Sequence, residues 1–215
     1  MTVASEAYHV GVVGASDGGK TTRLREHHET FNGVSVWVNF ERSDGSYASG
    51  VAGYRAGGRR AMNTSVSKFK SWSDVRINLK VSDAKEGVSL AYQFAVDVWD
   101  TVGVPVQIVV DEADNLISKG DTKEDSDLMV AIHEGRGKGV KVVLATQNPN
   151  NLPFNKLDSI KYWVWVGEWS KSMEGFINYY GLESDELPSE RFQVRVFDRQ
   201  AKLLYECETK EKYGQ

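Results

Sequence analysis

Tyr8-His9-Val10-Gly11-Val12-Val13-Gly14-Ala15-Ser16-Asp17-Gly18-Gly19-Lys20-Thr21-Thr22 is the stretch on which the rest of the sequence turns. Its first six residues form a short apolar run that ends at a glycine, as a buried strand does, and the residues from Lys20 to about Thr30 read as a helix. Between them, Gly14 to Thr21 follows the spacing GxxxxGK[ST]. Glycines let successive backbone N–H groups turn inward around an anion, and the helix N-terminus adds the positive end of its dipole. At this spacing Lys20 reaches the β- and γ-phosphates of a nucleotide and the Thr21 hydroxyl ligates magnesium. The expected phosphate-binding residues are therefore Gly14, Ala15, Ser16, Asp17, Gly18, Gly19, Lys20, Thr21 and Thr22. Asp17 is an unusual acid to find beside phosphate. The competing reading is a glycine-rich turn with no ligand.

Downstream, Val106-Gln107-Ile108-Val109-Val110 is a nearly continuous β-branched run, typical of a strand buried on both faces, and it ends in Asp111-Glu112. Two carboxylates at the C-terminal tip of such a strand lie at the sheet edge where α/β proteins bind ligands. Asp111 can hold magnesium through its water shell, and Glu112 can orient and deprotonate an attacking water. Alternatively, the two acids merely cap a strand. Val142-Val143-Leu144-Ala145-Thr146 is a further buried strand, and Gln147 follows at its C-terminal end, placed to sense a γ-phosphate or to begin a loop towards Pro149. Arg136, in Glu134-Gly135-Arg136-Gly137-Lys138-Gly139, precedes that strand. At ~3.3 Å per residue it stands roughly 20 Å or more from its own catalytic rim. It is either a surface arginine in a turn or an arginine finger serving a neighbour's nucleotide in trans.

Elsewhere, Val34, Val36 and Val38 alternate as in a strand, and Arg76 to Val81 and Tyr162 to Val166 read as two more. Helical spacing marks Gly87 to Thr101, and helices are also expected over Asp125 to His133 and around Met173, Phe176, Ile177 and Tyr180. Phe192 to Phe197 and Leu203 to Glu206 read as a terminal hairpin, and the glycine-rich Asp44 to Arg60 reads as an irregular, mobile loop. Alternating strands and helices predict an α/β fold with a mostly parallel central sheet covered on both faces.

At 215 residues and 40% hydrophobic content the chain fits a single domain with a sizeable core. The expected core spans about 8–167, with a C-terminal helix and hairpin extension over about 168–215. The lone cysteine, Cys207, excludes an internal disulfide framework. No basic segment followed by an apolar stretch opens the chain, and no apolar run approaches ~20 residues, so a soluble, intracellular protein without a transmembrane segment is expected. Net charge is −4, yet Arg55, Arg59, Arg60, Lys68, Lys70, Arg76 and Lys80 make a basic stretch opposed only by Asp74. That stretch faces either a polyanion, an acidic neighbouring subunit, or solvent.

Gly14 to Thr21, then Ile108-Val109-Val110-Asp111-Glu112-Ala113-Asp114, then Gly135 to Pro149 with Thr146-Gln147-Asn148-Pro149 at its end, together resemble the FtsK–HerA superfamily of P-loop ATPases. Within it the likeness is to the genome-packaging ATPases of double-stranded DNA viruses with an internal membrane. The resemblance implies a three-layer ASCE/RecA-like P-loop NTPase domain, with the strand that ends at Gln147 lying between those ending at Gly14 and Asp111. It implies Lys20 and Thr21 as the Walker A lysine and hydroxyl, Asp111 and Glu112 as the Walker B pair, Gln147 as polar sensor and Arg136 as the trans-acting arginine. ATP and Mg²⁺ are the implied substrate and cofactor. Double-stranded DNA, a homo-oligomeric ring of five or six subunits and a capsid or portal-vertex protein are the implied partners, in the host cytoplasm or at the packaging vertex of the virion. Arg55, Arg59 and Arg60 are then candidate DNA or subunit contacts. No role is implied beyond about Gly167.

Two other functions remain open on the sequence. Asp111-Glu112-Ala113-Asp114 also spells the DEAD box of helicases, but those need a second RecA-like lobe, for which this chain has no room. An assembly switch that binds ATP and turns it over slowly would carry the same phosphate loop.

Overall fold

The computed structural model describes residues 8–40, 53–55, 74–81, 83–122, 126–200 and 202–208. Its strands are β1 (His9–Val13), β2 (Gly33–Phe40), β3 (Gly53–Arg55), β4 (Asp74–Val81), β5 (Val106–Val110), β6 (Val140–Thr146), β7 (Ile160–Val166), β8 (Gln193–Asp198) and β9 (Leu203–Glu208). Its α-helices are α1 (Lys20–Thr30), α2 (Ala84–Val102), α3 (Asp127–Glu134) and α4 (Glu174–Tyr180). One sheet runs in the order β3-β4-β2-β5-β6-β1-β7-β8-β9. Every pairing from β3 across to β7 is parallel, and β8 and β9 add an antiparallel hairpin.

β1 and β5 are buried at every position, as strands covered on both faces must be. On one face, Leu24 of α1 packs with Val10, Val12, Trp37, Val109, Val143 and Val164. On the other, α2, α3 and α4 contribute Val88, Phe94, Leu128, Met129 and Phe176 over Val36, Ile108, Val142 and Leu144. Helix, sheet and helix thus make three layers, the mostly parallel P-loop NTPase architecture that the motifs imply. No described helix is long and apolar enough to cross a membrane.

The structure extends or corrects several expected elements. α2 starts three residues before its apolar periodicity because the Asp83 side chain accepts hydrogen bonds from the Lys85 and Glu86 N–H groups, capping the first turn. α4 is preceded by a 3₁₀ turn over Lys171–Met173, so only Phe176, Ile177 and Tyr180 of its marker residues are α-helical. Within the stretch expected to be irregular, Gly53–Arg55 forms the edge strand β3 on β4. Its backbone bonds come from pairing, which composition does not register. The remainder of Asp44–Arg60, and with it Arg59 and Arg60, lies outside the described residues, as do Lys68, Lys70 and Asp125.

Arg76 leaves the basic stretch altogether. Its guanidinium donates to the carbonyls of Gly33, Val75, Glu29 and Phe31 at 2.6–3.1 Å, clasping the end of α1 to the start of β2. A second polar group lies under α1. The His28 Nδ1 is 2.8 Å from the Ser35 hydroxyl, and the Gln107 amide donates to that hydroxyl and to the His27 carbonyl. At the far end of β1, His9 accepts a hydrogen bond from the Val142 N–H through Nδ1.

Burial lowers the pKa of His9 to about 4, with Arg136 adding to it, and lowers that of His28 to about 4, with Arg76 adding to it. An unfolded chain takes up these protons near pH ~6.5, so between the two values the unfolded state binds more protons. The stability these histidines confer is complete above pH ~6.5 and is lost as pH falls towards 4, at up to about 3 kcal/mol each. Urea unfolding should show a lower midpoint at pH 4.5 than at pH 7.5, and a His28→Gln variant should show a shallower pH slope than the unaltered chain.

Candidate active site

Parallel pairing fixes where the expected site residues meet. β6 pairs with β1 (Val13↔Thr146) on one side and with β5 (Val110↔Leu144) on the other, so all three strands finish at one rim. From that rim emerge Gly14, Asp111 and Gln147, the residues that follow them.

The loop from Gly14 turns tightly into α1, with the Gly18 N–H on the Ala15 carbonyl at 3.3 Å. Glycine is required here for a specific reason. A Cβ at Gly14 would overlap the Val166 carbonyl oxygen at the end of β7, and one at Gly18 would stand 2.8 Å from the same atom. Gly19 caps α1 with φ 100°. Asp17 reaches φ 59° without being glycine, a conformation that aspartate tolerates better than most residues.

Lys20 is buried, and its ammonium donates to the Ala15 carbonyl at 2.6 Å. Burial lowers its pKa, an effect opposed by the carboxylates of Asp111, Asp17, Glu112 and Asp114. The Thr21 hydroxyl donates to Asp111 Oδ2 at 3.4 Å. Burial pushes the Asp111 carboxyl up, while the Glu112 N–H, Lys20 and Thr21 pull it down. Each of the two opposite charges thus compensates part of the other's desolvation. The Ser16 hydroxyl donates to Gln147 Oε1 at 2.6 Å, tying the loop to the tip of β6. Thr22 sits half-buried in the first turn of α1.

Glu112 is exposed and adopts φ 51°, left-handed for a residue that is not glycine, at a cost of roughly 1–2 kcal/mol. Its carboxylate accepts a hydrogen bond from Asn115 at 3.1 Å, across the 3₁₀ turn Ala113–Asn115. Beside it, the Thr146 hydroxyl donates to Asp114 at 2.7 Å and accepts from the Asn148 N–H. These links between the tips of β5 and β6 were missed in the sequence. A three-residue spacing from Glu112 to Asn115 is a weak signal, and Asp114 and Thr146 lie too far apart in the chain to suggest a pair.

Not every expected residue joins the cluster. Arg136 lies in the 3₁₀ turn Gly135–Lys138 at the opposite end of β6, exposed, with its guanidinium carbon 5.7 Å from the Tyr8 ring centre. Arg55 has its backbone in the edge strand β3, away from the β1–β6–β5 rim. From the C-terminal extension, where the sequence implied no role, Arg191 donates through Nε to the Asp17 carbonyl at 3.3 Å, and the Phe192 ring lies against Gly19.

The donor set suits a nucleoside triphosphate with magnesium. A buried ammonium stands at a helix N-terminus, and a hydroxyl and a carboxylate lie within reach of one another. Magnesium in such sites takes one or two protein oxygens and completes its shell with phosphate oxygens and water.

No protein-family model matches the sequence, and no curated protein matches it. Solved structures do resemble it in fold. The genome packaging NTPase B204 from Sulfolobus turreted icosahedral virus 2, in complex with AMP, has a TM-score of 0.69 at 14% identity over 95% of this chain and 99% of that one. The same NTPase with AMPPCP gives 0.66 at 14% identity over 95% and 100%. EssC (ATPases 2 and 3) from Geobacillus thermodenitrificans gives 0.54 at 9% identity over 97% of this chain and 41% of that one. At these identities the likeness establishes the fold, that of a P-loop NTPase.

Because the Val166 carbonyl underlies the loop, Gly14→Ala should displace it. Titration with a fluorescent ATP analogue should show at least a tenfold loss of affinity, and urea unfolding a loss of about 1–3 kcal/mol.

Proposed function

We propose that this chain is an ATP-hydrolysing motor that drives double-stranded viral DNA into a preformed capsid. The observation that carries this reading is the position of β6. It lies between the strands that end in the phosphate loop and in Asp111-Glu112, with Gln147 at their common rim and Arg136 at its other end. The FtsK–HerA resemblance implies this arrangement, and a genome packaging NTPase of similar fold and length supports it.

In this reading the reaction is direct attack of water on the γ-phosphate. Glu112 accepts the water's proton, the water oxygen forms the new bond to phosphorus, and ADP leaves with the electron pair of the broken bond. Lys20 balances charge on the β- and γ-phosphate oxygens, and Gln147 orients the water or senses the γ-phosphate. Thr21 and Asp111 would hold magnesium, which supplies further charge neutralisation. Gly14 to Gly19 and Thr22 line the phosphate tail.

Arg136 is separated from its own rim by the seven residues of β6, roughly 20 Å. An arginine there serves catalysis only across a subunit boundary, which supports a homo-oligomer; the FtsK–HerA resemblance implies a ring of five or six subunits. Arg55, Arg59 and Arg60 are the proposed contacts to DNA phosphates or to the next subunit. A capsid or portal-vertex protein would anchor the ring, in the host cytoplasm or at the packaging vertex.

Two measurements test the proposal. ATP hydrolysis should rise severalfold when double-stranded DNA is added, and Glu112→Gln should bind ATP while losing at least ~100-fold in turnover. Turnover that ignores DNA would favour an assembly switch, and normal turnover in the variant would remove Glu112 as base. Arg136→Ala should lose ~10³-fold or more in rate and recover in assemblies mixed with Glu112→Gln subunits, which supply the arginine. Absence of recovery would refute action in trans.

A further inference from the structure

The phosphate loop has two flanks. On one stand β6 and β5, with Gln147, Asp111 and Glu112. On the other stand β7, whose Val166 carbonyl underlies Gly14 and Gly18, and β8, which Arg191 and Phe192 immediately precede. The terminal phosphate has to face Glu112 for hydrolysis, so the nucleoside end leaves the loop at the flank of β7 and β8.

What lies on that flank is unusual for a surface turn. Phe192 holds φ 68°, a left-handed conformation that is a genuine outlier for a bulky aromatic residue and tends to mark functional sites. Its ring belongs to neither core cluster and is only half-buried. The ring instead meets the entry to α1, where a Cβ on Gly19 would stand 3.3 Å from Phe192 Cδ1. Arg191 is exposed, lies with its guanidinium carbon 4.6 Å from the centre of that ring, and donates to the Asp17 carbonyl of the loop. A planar cation and an aromatic ring are therefore held together at the edge of the loop by a strained backbone and one main-chain hydrogen bond. Core packing explains neither residue.

We propose that Arg191 and Phe192 form the nucleoside platform of this site, on which an aromatic base, with purines favoured by their larger stacking face, lies flat. The proposal rests on the reading of Gly14–Thr21 as a triphosphate loop. Flat π-surfaces beside guanidinium groups bind bases with little regard to hydrogen-bond pattern, so the platform supplies affinity more than discrimination between adenine and guanine. It also gives the C-terminal extension a part in substrate binding, since the turn that enters β8 carries both residues.

The test separates the two ends of the nucleotide. Calorimetric titrations with ATP and with inorganic tripolyphosphate, which has no base, are run on the unaltered chain and on Phe192→Leu, Phe192→Tyr and Arg191→Ala. Phe192→Leu keeps the bulk against Gly19 and removes the aromatic face. It should weaken ATP binding about tenfold or more and leave tripolyphosphate binding unchanged. Phe192→Tyr should retain affinity for both, and Arg191→Ala, which also removes a cation and a bond to the loop, should weaken ATP binding more than tripolyphosphate binding. Equal weakening of both ligands by Phe192→Leu would show that the ring only shapes the loop, and undiminished ATP affinity would show that the base lies elsewhere. Either result overturns the platform while leaving the triphosphate loop intact. An unaltered chain that binds neither ligand would instead overturn the phosphate-loop reading and the platform with it.

Discussion

The insertion of β6 between β1 and β5, parallel to both, is the constraint on which the rest of the molecule depends. Parallel strands cannot be joined by hairpins, and α1 joins β1 to β2, α2 joins β4 to β5 and α3 joins β5 to β6, while two 3₁₀ turns carry the chain from β6 to β7. The same pairing puts the C-terminal tips of three buried strands at one rim. A loop rich in N–H donors, a pair of carboxylates and an amide then arrive together, although wide stretches of sequence separate them. The ladder pairs Val13 with Thr146 and Val110 with Leu144, and that register aligns the tips.

Much of this could be read in the sequence because its physics is local. A β-branched run of strand length, a glycine pattern ahead of a lysine and a helical apolar period each report on their own residues. That is why the strands carrying the site, the helix after the phosphate loop and the terminal hairpin were all legible. The elements that were not legible obtain their stability from partners remote in the chain. β3 exists through its ladder to β4, and α2 begins at a cap rather than at an apolar residue. Arg76 counted as one of a run of basic residues, yet its charge is spent on four carbonyls. A charge tally cannot distinguish a guanidinium that meets solvent from one that closes a helix end.

The same distinction holds within the site. Lys20 and Thr21 stand in a fixed spacing, and Asp111 and Gln147 each follow an apolar run of strand length, so their place at a sheet edge could be read along the chain. Asn115, Thr146 and Asp114 could not, since no spacing in the chain announces the contacts Asn115 makes with Glu112 and Thr146 makes with Asp114. Arg191 and Phe192 were invisible for a further reason. They follow a region without a recognised motif and meet the loop across the width of two strands, so only coordinates bring them to Asp17 and Gly19.

The polar groups at the rim are bonded to one another in a way that bears on how substrate enters. Lys20 lies on the Ala15 carbonyl, Ser16 on Gln147, Thr21 on Asp111 and Asn115 on Glu112. Lys20 is buried, where an unpaired polar group costs about 1–3 kcal/mol, so its bond to the Ala15 carbonyl stabilises the loop before any phosphate arrives, whereas Ser16, Gln147 and Glu112 are exposed. In the proposed reaction a triphosphate would displace the Ala15 carbonyl from Lys20, and its gain there would be the difference between two hydrogen bonds. Phosphate oxygens are charged acceptors and carbonyl oxygens are not, so for Lys20 the exchange favours the substrate by roughly the margin that separates ionic from neutral hydrogen bonds. Glu112 is the exception. Asn115 bonds one carboxylate oxygen, Oε2, and the other oxygen stays available, so in the proposed reaction Glu112 could accept a proton from water with that bond in place. The left-handed backbone and the Asn115 bond together fix the direction of the carboxylate, which in that reaction would set the base in place ahead of substrate.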